Sequence, residues 1–259
     1  MLFLLGMAIL VALGPVLSPY RFDQQDLDLI GRPTAPGPQH WLGTDELGRD
    51  LLTRLLVGGR ISLAVGLASA LVSTLLGTLV GGLAGFYGRL VDQALMRLTD
   101  VILSIPLLPL ILLLSGLFRP DVPLLVLVIG GLTWMSTARV VRSQFLQLRS
   151  MNYVDAARAL GAGNARLMLL HILPNASGPI IVSATLAVGG AIMLESAMSF
   201  LGFGVQPPVP SWGNMLKSAT PWLGTAPWMA LPPGLLIFAT TLSVNLLGNG
   251  FRGARDHGR

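Results

Sequence analysis

Long apolar runs separated by short polar segments set the plan of this chain. An uncharged run of roughly 17 residues or more is a candidate membrane-crossing helix, because about 20 residues traverse the hydrocarbon. Six stretches qualify, at about 1–20, 61–87, 101–118, 122–138, 175–199 and 229–250. The pattern predicts an all-α polytopic membrane protein with a single transmembrane domain over 1–259. Within it lie a first span (1–20), an outer loop with an amphipathic helix (21–60) and a five-helix core (61–250). An even number of spans puts both termini on one side.

Residues 151–175, MNYVDAARALGAGNARLMLLHILPN, are helical in composition yet too polar to cross. Asn152 suits an N-cap, with Asp155 three residues on to complete a capping box and meet the positive end of the helix dipole. Ala156 to Leu160 are strong helix formers, and Gly161 and Gly163 are a natural stop. A second helix is expected from about Asn164 to Leu173, with Pro174 at a boundary because it has no N–H to give. The result is an elbow over 151–174. On the residues alone it reads as an amphipathic connector. Asp155-Ala156-Ala157, then Gly161, then Leu173-Pro174 resemble the "EAA" loop of ABC importer permeases: Glu-Ala-Ala, three residues, Gly, nine residues, Ile-x-Leu-Pro. Asp155 stands for the Glu and His171 for the Ile. The resemblance implies a cytoplasmic loop that couples to an ATPase subunit through Tyr153, Asp155, Ala156, Ala157, Gly161, Leu173 and Pro174.

The first outer loop carries a second resemblance. HWLGTDELGRD at 40–50, followed by LLTRLL at 51–56 and by Arg60-Ile61-Ser62-Leu63, is similar to a segment of the smaller C-type permease of dipeptide, oligopeptide and nickel importers. Physically, Asp45 can cap a helix starting near Glu46. Arg49, Asp50 and Arg54 would then face water, and Leu51, Leu52, Leu55 and Leu56 the membrane surface, as in an interfacial helix leading into span two. In span two, Gly77, Gly81 and Gly85 recur every four positions and allow close helix approach, either within the chain or between subunits. Pro106 and Pro109 predict a kink in span three, with Ser104 or neighbouring groups covering the freed carbonyls.

Glu195 is the one acid inside an apolar run. A carboxylate at membrane depth is costly and marks a pathway or gate candidate, or else a satisfied tie between helix ends. The segment after it, with Gln206 and Trp212, resembles the outer loop of peptide-branch permeases, where it lies near the pathway exit to the binding protein. The ending NLLGNGFRGAR at 245–255 is also similar to the family's, with Asn249 and Gly253 in place of its acids.

Composition agrees with a membrane chain: 53% of residues are hydrophobic and 11% charged, with a mean hydropathy of +0.70. Ordinary soluble domains are about a quarter charged. The basic balance, 17 Lys+Arg against 12 Asp+Glu, includes Lys217 as the single lysine and forms no cluster for nucleic acid. The cations instead suggest orientation. Arg89, Arg97, Arg139, Arg142, Arg149, Arg158, Arg166, Arg252, Arg255 and Arg259 fall on the elbow's side. On the other side Arg21, Arg32, Arg49, Arg54, Arg60, Arg119 and Lys217 are matched by acids. Both termini are therefore expected inside, and the initial apolar run is read as a retained span.

No cysteine is present, which excludes thiolate metal sites and disulfides. No Walker A pattern surrounds Lys217, so ATP phosphates are not cradled here. Neither a zinc-protease nor a serine-hydrolase motif occurs, and His40, His171 and His257 are too scattered to form a metal site by spacing. No cofactor is expected on this chain. The resemblance implies a type I ABC importer permease in a bacterial plasma (inner) membrane. Its implied partners are a homologous permease, two cytoplasmic ATPases holding ATP and Mg, an external binding protein and the lipid bilayer. Short peptides are the expected cargo, with nickel or a nickel chelate as the alternative. A stand-alone channel or secondary carrier would need no docking elbow.

Overall fold

The computed structural model describes residues 2–118 and 121–256, apart from the side chains at 15, 17 and 252–256. Arg119, His257 and Arg259, and the side chains of Arg252 and Arg255, therefore lie outside the described residues. The helices are α1 (Leu2–Leu17), α2 (Leu51–Tyr87), α3 (Arg89–Ser104), α4 (Leu107–Phe118), α5 (Val122–Gly131) and α6 (Met135–Leu148). They continue with α7 (Asn152–Ala159), α8 (Asn164–Arg166), a π-helical turn (Leu167–Ile172), α9 (Leu173–Leu201), α10 (Trp212–Ala219) and α11 (Leu231–Asp256). Among the described residues the only β contact is an isolated bridge between Thr44 and Asp50.

The apolar segments are less uniform than the sequence suggests. Three helices are long and apolar enough to cross alone: Leu51–Tyr87, Asn164–Leu201 and Pro227–Phe251. Two further spans count only as bent pairs, α3 with α4 at 81° and α5 with α6 at 47°. The first bend falls at Ser104 to Pro106, where the proline ring cannot follow an α-helical turn. Ser104 Oγ donates to the Val101 carbonyl at 2.7 Å, covering a group the break would strand.

The chain divides into two compact units, one comprising 1–67, 112–126 and 189–244 and the other 68–111, 127–188 and 245–259. The first has a core of Met7, Val11, Leu51, Leu55, Trp212, Met215 and Met229. Arg60 Nε donates at 2.9 Å to the Val11 carbonyl, for which Pro15 has no N–H to offer.

The outer loop in this unit departs from expectation. Its helix starts at Leu51 and runs unbroken into span two, whereas Asp45 ends a turn, accepting from the N–H groups of Leu47 (2.9 Å) and Arg49 (3.0 Å). Arg49, Asp50 and Arg54 do not face water: each is 4–5% exposed. Asp45 Oδ2 takes Arg49 Nε at 2.7 Å and Arg54 Nε at 3.2 Å, and Arg54 also donates to the Phe22 carbonyl at 3.0 Å. Because the charges compensate one another, the loop folds over them, an arrangement that alternation along the sequence cannot report. Burial, followed by the neighbouring Asp45 carboxylate, pushes the Glu46 carboxyl above its ordinary range.

The second unit is built on the glycine ridge. A Cβ on Gly77 would meet Thr137 Cβ at 2.7 Å, and one on Gly85 would meet Phe145 Cβ at 2.6 Å. Gly81 likewise faces Ala138 and Val141, so the ridge seats α2 on α6 of the same chain. Beside it, Phe86, Val141, Phe145, Val154, Leu167, Ile172 and Ala176 form the core that carries the elbow.

Candidate functional site

In the elbow, Asn152 is the first helical residue of α7 rather than its cap. Met151 takes the extended cap position and no side chain caps the turn. The stop matches its sequence signal. Gly161 has φ +86°, Gly161 N–H donates to the Arg158 carbonyl and Ala162 N–H to the Ala157 carbonyl, both at 3.0 Å. That pair of bonds is a Schellman motif, which satisfies two of the carbonyls left open at the helix end. Ala157 and Ala162, the two positions that usually make the motif's apolar contact, both pack on the elbow's core.

Beyond Gly163 no joint occurs at Pro174. Residues Asn164–Leu201 form one helix of 38 residues. The π turn explains how. Leu173 N–H reaches five residues back to the Met168 carbonyl, so the helix is widened just where the ring of Pro174 would meet a carbonyl in α geometry.

The coupling residues named from the sequence divide between two faces. Ala157 and Leu173 turn inward onto the elbow's core. Tyr153, Asp155, Ala156, Gly161 and Pro174 are exposed. Tyr153, Ala156 and Leu160 follow one another at i, i+3 and i+7 and so share a side of α7. Leu160, 89% exposed, was not among the residues expected from the sequence. The available signal was a large apolar residue directly before the stop glycine and seven beyond Tyr153. Asp155 pairs with Arg158 Nη1 at 3.2 Å on the neighbouring side.

The other candidates lie in the first unit. Glu195 is fully buried. Its Oε1 accepts from Ser199 Oγ at 2.7 Å, and its Oε2 accepts from Ser62 Oγ at 2.9 Å and Ser196 Oγ at 3.4 Å. Ser62 Oγ also accepts from Trp212 N–H (3.2 Å) and Ser199 Oγ from Val205 N–H (3.0 Å), so each hydroxyl links the backbone to the Glu195 carboxyl group. Glu195 thus gathers α2, α9, the loop at 205 and the start of α10 at one point. Ser211 and Asn214 close a full capping box on α10, and Trp212, with no exposed surface, donates through Nε1 to the Leu55 carbonyl at 3.1 Å. Gln206 is exposed, and its amide is spent on the carbonyls of Gly202 and Gly204.

Residues 77–256, which include the elbow, match the family described as "Binding-protein-dependent transport system inner membrane component". The chain is 38% identical over 250 residues to the oligopeptide transport system permease protein OppC of Bacillus subtilis, covering 96% of this chain and 82% of that one. It is 38% identical over 221 residues to the dipeptide transport system permease protein DppC of Alkalihalophilus pseudofirmus, covering 85% and 73%. Among solved structures, the inward-facing MetNI methionine ABC transporter shares the fold at a TM-score of 0.61 and 18% identity, over 77% of this chain and 95% of that one. The exposed elbow, the long apolar helix it feeds and the family match across both lead to one conclusion: the chain belongs to the inner-membrane permease components of binding-protein-dependent transport systems, as a multi-pass all-α membrane protein with the type I ABC importer permease fold.

Proposed function

We propose that this chain is the permease subunit of an ATP-driven importer of di- and oligopeptides, and that α7 is the part an ATPase subunit grips. The observation that carries this reading is the exposed Tyr153, Ala156 and Leu160 side of a helix joined, without a joint at Pro174, to a 38-residue apolar helix. Motion imposed on the elbow then reaches the membrane. ATP and Mg reside on two partner ATPases, a homologous permease completes the pathway, and an external binding protein delivers the solute. Peptide is favoured as cargo because the relatives above are named for dipeptide and oligopeptide transport. Glu195 and Trp212 are enclosed, so in this reading they act by holding the outer loop with its exposed Gln206, not by touching the solute.

Uptake of labelled dipeptide and of radioactive nickel by cells with and without the chain tests the cargo, and loss of nickel uptake alone overturns it. The elbow and both termini are proposed to be cytoplasmic. In the cysteine-free chain, a cysteine at Asn164 should resist an impermeant thiol reagent in intact cells while one at Gln39 reacts. Labelling at Asn164 from outside reverses the orientation.

A further inference from the structure

The helix α3 has three distinct sides. Asp92, Leu95, Thr99 and Ile102 follow at i, i+3, i+7 and i+10 and face the protein: Thr99 is fully buried and Ile102 packs on Trp134, Met135 and Ala138. Leu90, Ala94, Leu98 and Val101, at i, i+4, i+8 and i+11, are exposed, with Leu90 at 80%, Leu98 at 51% and Val101 at 62%. Arg89, Gln93, Arg97 and Asp100 repeat the same spacing on the third side and are exposed as well.

Two ion pairs lock this rotation. Asp92 Oδ2 accepts from Arg142 Nη2 at 2.6 Å, and Asp100 Oδ1 accepts from Arg139 Nη2 at 2.6 Å, so α3 is tied to α6 two turns apart. Arg89 and Arg97 have no side-chain partner among the described residues. The start of α3 is fixed too. Gly88 (φ 64°) and Arg89 (φ 44°) both hold left-handed angles, a conformation that costs a non-glycine residue about 1 kcal/mol or more and persists only where the surroundings demand it.

At its other end α3 departs from α4 by 81°, so the two cannot both follow the membrane normal. The uncharged α4 belongs in hydrocarbon, whereas α3, with Arg89, Asp92, Arg97 and Asp100, does not. A helix with one apolar side, one cationic edge and a large angle to the span beside it has the form of a segment lying in the membrane–water interface.

We propose that α3 is a membrane-surface helix that binds anionic lipid. Leu90, Ala94, Leu98 and Val101 enter the acyl boundary, and Arg89 and Arg97, along the adjoining edge, hold the phosphates of acidic headgroups. Bilayer, rather than protein, is the occupant these residues favour. The apolar side is bordered by two arginines that have no side-chain partner among the described residues, a combination complementary to a headgroup layer above acyl chains, while the side that seeks protein is already filled by α6.

The experiment uses the full chain in its assembled transporter, with single cysteines at Gln93, Leu98 or Val101 carrying spin labels. Reconstitution is in vesicles of phosphatidylcholine with phosphatidylglycerol. Labels at Leu98 and Val101 should collide with oxygen and be sheltered from water-soluble chromium oxalate, and the label at Gln93 should show the reverse. Chromium oxalate reaching Leu98 and Val101 would make that side aqueous, and shelter from both reagents would place a protein partner on it; either result overturns the proposal. In a second arm, phosphatidylglycerol retained through purification from mixed lipid should fall roughly tenfold in R89Q/R97Q, and by a smaller factor in R97Q alone. Retention equal to the parent in both variants overturns the headgroup assignment.

Discussion

The Glu195 site and the elbow are both polar features in an apolar chain, and they are finished in opposite ways. Around Glu195 the hydroxyls of Ser62 and Ser199 each receive one hydrogen bond from the backbone and pass one to the carboxyl group, and Glu195 itself has no exposed surface. The elbow completes its backbone bonding through the Schellman turn but leaves Tyr153, Ala156 and Leu160 uncovered. Full satisfaction is the mark of a part that holds the chain's own elements together. An apolar side left uncovered on an otherwise polar element is the mark of a surface completed by something else.

The largest test removes the closed network. E195L takes away the acceptor of buried hydroxyls whose oxygens are already occupied, at a cost of about 3 kcal/mol or more, so the yield of monodisperse protein should collapse. E195Q, which keeps one acceptor oxygen, should cost about 1–2 kcal/mol and assemble while transport falls. Equal thermal stability of E195L and the parent would end the idea that this site holds anything.

Next, the two faces of α7 can be set against each other. A157E forces a charge into the elbow's own core and should destabilise by about 2–3 kcal/mol. A156E, one residue away, should change stability by about 0.5 kcal/mol or less yet lose ATPase capture in pull-down. If A156E binds the ATPase as well as the parent, the outward side is not the docking side.

A smaller effect is expected for G161A. The left-handed angle at Gly161 costs an alanine about 1 kcal/mol, and open space around it removes steric complications. Yield should hold while solute-stimulated ATP hydrolysis drops severalfold. Unchanged stimulation would separate the shape of the elbow from coupling.

The smallest is a pH effect in the outer loop. Glu46 has its folded-state pKa raised, so its contribution to stability is fully present below the ordinary carboxyl value and is lost as pH rises through the raised one. The melting temperature of E46Q relative to the parent should therefore climb over that window. A difference that stays flat with pH would show that Glu46 is not held in the way its burial implies.

Much of this architecture is written locally. The long helices Leu51–Tyr87, Asn164–Leu201 and Pro227–Phe251 contain unbroken apolar runs, and the stop at Gly161 follows from a residue that adopts left-handed angles freely. The Pro106 break was legible too, though not its 81° size, which depends on what α3 packs against. Other features were hidden for a physical reason. Arg49, Asp50 and Arg54 read as a wet side because charges usually are, and only the folded loop shows that they neutralise one another out of water. Pro174 read as a joint because the α-helix rejects it, and the π turn that accommodates it needs neighbours to stabilise its wider bore. Glu195 stands out in the sequence as the one acid inside an apolar run, but its serine partners, Ser62 from 133 positions away as well as Ser196 and Ser199 from its own helix, are set by the fold.

The unbroken helix from Asn164 to Leu201 also has a mechanical meaning. At about 1.5 Å per residue it is a rod roughly 57 Å long. A hinge at Pro174 would have let the elbow swivel while the span stayed still, dissipating torque where it is applied. With the helix continuous past that point, twist entering at the elbow end is carried at least as far as Pro179. Pro179, inside α9, then becomes the compliant spot where applied torque is converted to bending.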